Sequence, residues 1–327
     1  MQPISRSQRF ISRPEFGPFV LLIIELVVFS LMAPAFLSQG NISNLLAFTP
    51  ELGMISLGMT MLMTSGEFDL SVGSVFGFTP VVMWTIFNTG IAPFEIAFLI
   101  AMFIALLVGF FNGWFVTRLK IPSFLVTLGM LLVVRGSALY ITSGFPQRTW
   151  TAKSPLMSLI VGEIYIGDFR IYASLIWFLL IAVALGYVLT QSKAGNWIQA
   201  AGGNPGSAQA RGVRVARTKI MLFMLTSVLS AFAGVISSIR VSSANPNSGT
   251  GYELEVIAMV VIGGTALTGG RGTIIGTVLG VLILRLMRNG IVMVGVPGLA
   301  YDIFVGAIIL GMMAIHSGLE RRHHAGT

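Results

Sequence analysis

The chain has 327 residues, of which 55% are hydrophobic and 10% charged, with a mean hydropathy of +0.87. Soluble domains carry about 25% charged residues, so this composition excludes an ordinary water-soluble fold. It holds no cysteine, which excludes disulfides and cysteine-ligated zinc or iron–sulfur centres, and its net charge of +8 is explained below by topology without nucleic acid as a partner.

A hydrocarbon core about 30 Å thick requires roughly 20 mostly apolar residues per helical span. Apolar runs cover 18–37, 52–64, 70–88, 94–117, 123–141, 171–190, 220–239, 256–268, 273–294 and 299–316. They predict an all-α polytopic membrane protein of about ten transmembrane helices, one transmembrane domain over 1–327, with both termini on the same side. With the N-terminus cytoplasmic, thirteen Lys and Arg lie in inside segments, against Arg148, Lys153, Arg170 and Arg240 outside. That asymmetry obeys the positive-inside rule and accounts for the basic balance.

In the first run, Ala33-Pro34-Ala35 imitates a signal-peptide cleavage site. Glu25 interrupts the apolar stretch and Pro34 occupies the mock site, so an uncleaved helix is expected.

The runs 52–64 and 256–268 are shorter than a bilayer requires, and each enters a Gly-rich break. Ser65 to Gly73 aligns without a gap on Thr268 to Gly276, and Gly77 then matches Gly280. The constant offset predicts a weak internal parallel repeat containing two short interrupted helices. Gly272, Gly276 and Gly280, like Gly73 and Gly77, place a strip of small residues on one helix face, which serves close helix packing. Irregular backbone at membrane depth is tolerated where it is buried or lines a wet cavity, so these breaks also mark a candidate translocation path. Asp69 and Ser71 stand where a helix begins and suit capping.

Arg135 lies within the fifth run, at a cost of about 2.5–3.5 kcal/mol near the bilayer centre, and requires a partner or a cavity. Glu25, Glu51 and Glu67 are its candidate partners, giving either an interhelical ion pair or a pathway role.

The longest inside loop, 192–219, contains two predicted short helices. Trp197, Ile198, Ala200 and Ala201 form the first, ended by Gly202-Gly203; Asn204 caps and Pro205 starts the second, which Gly212 stops. The result is a compact basic protrusion that suits a partner.

A partner is also needed for energy. The nearest approach to a phosphate loop, Gly264 to Gly270, is followed by Arg271 and lacks the Lys and Ser/Thr that hold phosphate and magnesium. No Ser/His/Asp, Cys/His or paired His/Glu set occurs at catalytic spacing; His316 ends the last run, and His323 and His324 belong to a polar tail. The chain is therefore expected to be no enzyme and to hold no metal.

Nearly the whole chain resembles permease subunits of bacterial ABC importers for monosaccharides, of the ribose, xylose, arabinose and galactose type. The resemblance rests on Thr64 to Ser74, on Thr127-Leu128-Gly129 with Arg135-Gly136, and on Gly202-Gly203-Asn204-Pro205 with Gly212. It continues in Gly249 to Glu255, Gly263-Gly264-Thr265 and Gly269 to Thr273. Phe68 stands where the family usually has a smaller apolar residue.

The resemblance implies an inner-membrane permease core of two copies or a paralogous pair, a cytoplasmic ABC ATPase that binds ATP and magnesium, and a periplasmic sugar-binding protein. It implies that Gly202, Gly203, Asn204, Pro205, Ala208, Arg211 and Gly212 belong to a coupling-helix loop seated in the ATPase. Ser65, Phe68, Asp69, Ser71, Gly73, Arg135, Glu253, Gly272 and Gly276 are the expected pathway residues. The same machinery with a nucleoside, autoinducer or other small polar cargo, and ion-coupled transport through Glu25 or Asp69, are the alternatives.

Overall fold

The computed structural model describes residues 15–148, 154–167, 169–307 and 310–311. The elements in chain order are α1 (Phe16–Met32), α2 (Gln39–Thr64), α3 (Val72–Asn88), α4 (Phe94–Arg118), α5 (Ser123–Thr142), β1 (Gln147–Arg148), α6 (Pro155–Val161), β2 (Glu163–Ile166) and β3 (Phe169–Tyr172). There follow α7 (Ala173–Gln191), α8 (Lys193–Gly203), α9 (Pro205–Ala210), α10 (Val215–Arg240), β4 (Ser243–Ala244), α11 (Tyr252–Ile262) and α12 (Ile274–Met293). The helices α2, α4, α5, α7, α10 and α12 are long and apolar enough to cross a membrane, whereas α1 and α3 are apolar but shorter. His323 and His324 lie outside the described residues.

Helix α2 forms the axis of the bundle. From Thr49 to Thr64 every residue is buried, and α3, α7, α10, α11 and α12 surround the core to which it belongs. A helix that is apolar on all sides packs in this way inside a membrane protein. By contrast, α4, α5 and α7 present Leu99, Leu132 and Val183 outward, each more than 60% exposed, as lipid-facing helices do.

Small residues let the backbones approach. A Cβ at Gly113 in α4 would stand 2.7 Å from the Cα of Ile220 in α10, so that seam closes only with glycine there.

One expectation is corrected. The run 52–64 is the second half of the 26-residue α2, so of the two supposedly short helices only α11, with 11 residues, is short among the described residues. Gln39, Asn41, Asn44 and Pro50-Glu51 imitate a loop in sequence, but Glu51 is buried and its charge is met within the bundle by Arg240 at 2.8 Å.

The stretch between α5 and α7, which hydropathy left unassigned, forms α6 and an antiparallel β2–β3 pair in the register Glu163 with Tyr172 and Ile166 with Phe169. Next to it, Gln147 pairs with Ala244 and Arg148 with Ser243.

Candidate functional site

At one end of the bundle α8 and α9 form a plug that follows the predicted design. Asn204 Oδ1 accepts from the Ser207 amide at 2.9 Å, Pro205 takes the first helical position, and Gly212 turns with φ +87°. Ile198, Ala201 and Ala208 fasten the plug inward, whereas Gly203, Asn204, Pro205, Gln209 and Arg211 are exposed.

The inner face of the plug meets both chain breaks at once. The Gly270 amide donates to the Thr64 carbonyl at 2.8 Å. A Cβ on Gly202 would collide with that same carbonyl and stand 2.6 Å from the Gly270 nitrogen. Gly269 adopts φ +81° with Gly66 and Gly202 both against it, and Gly270 lies against Gly203. Three distant segments thus touch through bare backbone, which side chains would prevent. Ser65 and Gly272 lie beside this junction: Ser65 Oγ donates to Leu62, and Gly272 backs onto Thr64.

From the junction the first break runs inward. Glu67 pairs with Lys219 near the start of α10 at 2.6 Å, and Phe68 packs partly buried on the core. Asp69, fully buried, accepts from the Ser71 amide (2.7 Å), from Ser71 Oγ (2.6 Å) and from Asn112 Nδ2 (3.2 Å). It closes an Asx-type turn at the start of α3.

The depth of that start can be read from α10. Ser230 Oγ donates to the Val72 carbonyl, and Ser230 stands 15 residues after Val215 and 10 before Arg240. At 1.5 Å per residue this is about 22 Å from one end of α10 and about 15 Å from the other, so α3 begins near mid-bundle.

A second segment reaches the same depth from the opposite end. After β4 the chain dips inward as residues 245–251, and α11 starts there, with the Tyr252 ring 5.0 Å from that of Phe76. Gly73 backs onto the Gly249 carbonyl and Glu253 Oε2, and Gly77 onto the Ser248 carbonyl. Two helix N-termini therefore meet at mid-bundle.

Arg135 clamps them. It donates from Nη1 to the carbonyls of Pro246 (2.5 Å) and Ser248 (2.7 Å), and from Nη2 to Gly73 (3.1 Å). Its partners are thus backbone carbonyls, with Glu253 the acid that acts on its charge. None of the three acids expected from sequence serves it: Glu51 pairs with Arg240 and Glu67 with Lys219, while Glu25 Oε2 is buried without a hydrogen bond. The carbonyls of Pro246 and Ser248 are freed by the irregular loop, which sequence spacing does not reveal, whereas that of Gly73 belongs to the first turn of α3.

Asp69, Ser71, Gly73, Arg135 and Glu253 are accordingly brought together, whereas Ser65 and Gly272 belong to the plug junction. Gly276 joins neither: it packs α12 against the Gly263 carbonyl after α11. Sequence reasoning missed Asn112, whose signal was an amide alone in the apolar run 94–117, and Asn247 and Thr250, both exposed on the dipping loop.

Residues 41–313 match the protein family described as the permease component of a branched-chain amino acid transport system, and the chain belongs to that family. It is a multi-pass membrane component of transport and not an enzyme. Among its relatives, the ribose import permease of Bacillus subtilis is 35% identical over 90% of each chain. The ribose import permease of Escherichia coli K12 is 33% identical over 89% of each. The galactose/methyl galactoside import permease of Escherichia coli K12 is also 33% identical, over 93% of this chain and 94% of its own. No solved structure matches the chain.

Proposed function

We propose that this chain is the membrane-spanning subunit of an ATP-driven importer that carries a monosaccharide or related polyol. The relatives named for ribose and galactose, each matched nearly end to end, support that cargo class.

In this reading residues 1–327 form one permease domain with about ten spans, and the plug end is cytoplasmic, as the basic inside segments require. The exposed face of the 192–219 loop seats in a cytoplasmic ATPase, which binds ATP and magnesium. A periplasmic sugar-binding protein delivers the solute at the far end. A second copy or a paralogue completes the passage.

The observation that carries the reading is the glycine junction. The backbone of Gly202 and Gly203 touches both breaks, and the first break leads directly to Asp69, Ser71 and Gly73 at mid-bundle. Closure of the ATPases would move the plug and with it the start of α3, shifting the permease between outward-facing and inward-facing states.

The test is uptake by proteoliposomes that contain the permease with its genomic neighbours, an ATPase and a binding protein, using ribose, xylose and galactose with leucine for comparison. Uptake of one sugar that requires ATP and the loaded binding protein is expected. Uptake without the ATPase that collapses with an uncoupler, or uptake of leucine alone, would overturn the proposal.

A further inference from the structure

We propose that loop 245–251 is a contact site for the solute in transit, with the Asn247 side-chain amide and the Thr250 hydroxyl as the groups that meet sugar hydroxyls. The inference rests on the transport reading above and adds residues to it.

The argument begins with depth. Gly249 lies against Gly73, one residue into α3, and the Val72 carbonyl is held by Ser230 near the middle of the 26-residue α10. The loop therefore sits deep in the membrane, reached from the end opposite the plug. Even so, Asn247, Thr250 and Gly251 are exposed there. Hydrocarbon does not satisfy an amide or a peptide group, so irregular polar backbone at this depth faces water or protein.

The chemistry of the loop suits a neutral polyol. The carboxamide of Asn247 offers two N–H donors and an acceptor oxygen, a combination that matches vicinal hydroxyl groups. Among the described residues the side-chain amide has no hydrogen-bond partner, while the backbone amide donates to Asn245 Oδ1 and the backbone carbonyl accepts from Thr250. Thr250 gives its proton to the Asn247 carbonyl at 2.8 Å and so keeps its acceptor lone pairs free. Glu253 Oε2, buried without a hydrogen bond, stands one turn below.

The loop is also held rigid. Arg135 ties Pro246 and Ser248 to Gly73, and the backs of Gly73 and Gly77 receive the carbonyls of Gly249 and Ser248. A preorganised loop with outward polar groups is a contact site and not a slack connection.

The absence of cysteine makes the test direct, since an introduced thiol is the only one in this chain and its labelling is read on the separated permease band. In the complete transporter, Asn247→Cys and Thr250→Cys would be treated with a membrane-impermeant cationic methanethiosulfonate, with Val183→Cys, 73% exposed in the centre of α7, as the lipid-facing control. The expected result is modification at 247 and 250 and none at 183, slowed severalfold by the sugar that the wild-type transporter carries. Asn247→Ala is expected to reduce uptake by about tenfold, as loss of one or two hydrogen bonds does, and to change the relative rates for sugars that differ at one hydroxyl.

Modification that no sugar slows, with unchanged sugar preference in Asn247→Ala, overturns the contact site and leaves the passage in place. No modification at 247 or 250 in any state shows a face covered by lipid or a second copy, and overturns the contact site together with a passage along this loop. A wild-type transporter that takes up no sugar removes the cargo reading itself.

Discussion

Arg135 satisfies three carbonyls from two chain segments with one guanidinium, a task that the planar five-donor fork performs and a lysine ammonium does not. Arg135→Ala would take the donor from the loop carbonyls of Pro246 and Ser248, at about 1–3 kcal/mol each. We expect a lowered Tm in detergent and loss of uptake, with Arg135→Lys recovering insertion but little transport. The Glu51–Arg240 pair behaves differently because both charges are buried, 3% exposed for Glu51, with Ser174 completing the set. Removing either partner alone is expected to destabilise by about 3–5 kcal/mol, and removing both by less than the sum, since neither member of the pair is then left facing a missing partner. Urea or thermal unfolding in detergent across Glu51→Gln, Arg240→Gln and the double variant reads that coupling. Of these residues the sequence showed the cost of Arg135 and the oddity of Glu51, but not their partners: the acids looked available, whereas the carbonyls of Pro246 and Ser248 became so only where the backbone left helix.

Between the residue and the molecule stand the plug and the two breaks. The caps of α8 and α9 were legible because Gly-Gly, Asn-Pro and Gly212 are local signals, and the structure repeats them. Their contact with Thr64, Gly66, Gly269 and Gly270 was not legible, since it joins segments more than sixty positions apart. A β-branched residue at Gly202 would have to displace the Thr64 carbonyl and the Gly270 amide together. Gly202→Val is therefore expected to uncouple the transporter: the partner ATPase would turn over without responding to loaded binding protein. Gly206, where an added Cβ would find its nearest neighbour at 3.6 Å, serves as the tolerant comparison, and Gly206→Ala should transport as wild type. Equal loss in both variants would show that the plug merely dislikes side chains. The aligned breaks also differ in geometry. The first leads inward to α3 at mid-bundle, while the second follows the short α11 and delivers α12 from the plug end; the segment that meets α3 at mid-bundle is instead the dipping loop before α11.

For the whole molecule, the exposed faces bear on the proposed pairing. Polar Asn247 and Thr250 are exposed on the loop that Arg135 of α5 holds, and α5 itself exposes Gly136 and Leu132, so this side mixes polar and apolar groups and does not suit lipid along its full extent. The proposed second subunit would stand across the passage from this side, keeping lipid away while leaving the loop open to water and solute. Native mass spectrometry of the purified permease, or of its complex with the ATPase, is expected to give two permease copies per assembly, and a stable, transport-active single copy would oppose the paired passage.

Composition, the lengths of the apolar runs and the placement of Lys and Arg determined by themselves that this chain is a helical membrane protein, because hydrocarbon imposes one rule on every span. Local capping residues likewise determined the plug. Tertiary structure alone decided that α2 is one long buried helix, that Arg135 holds carbonyls, that the plug touches both breaks, and that loop 245–251 carries its polar groups to mid-bundle. Each of these depends on close approach between distant segments, which glycine permits without specifying the partner, so the residues were visible while their encounters were not.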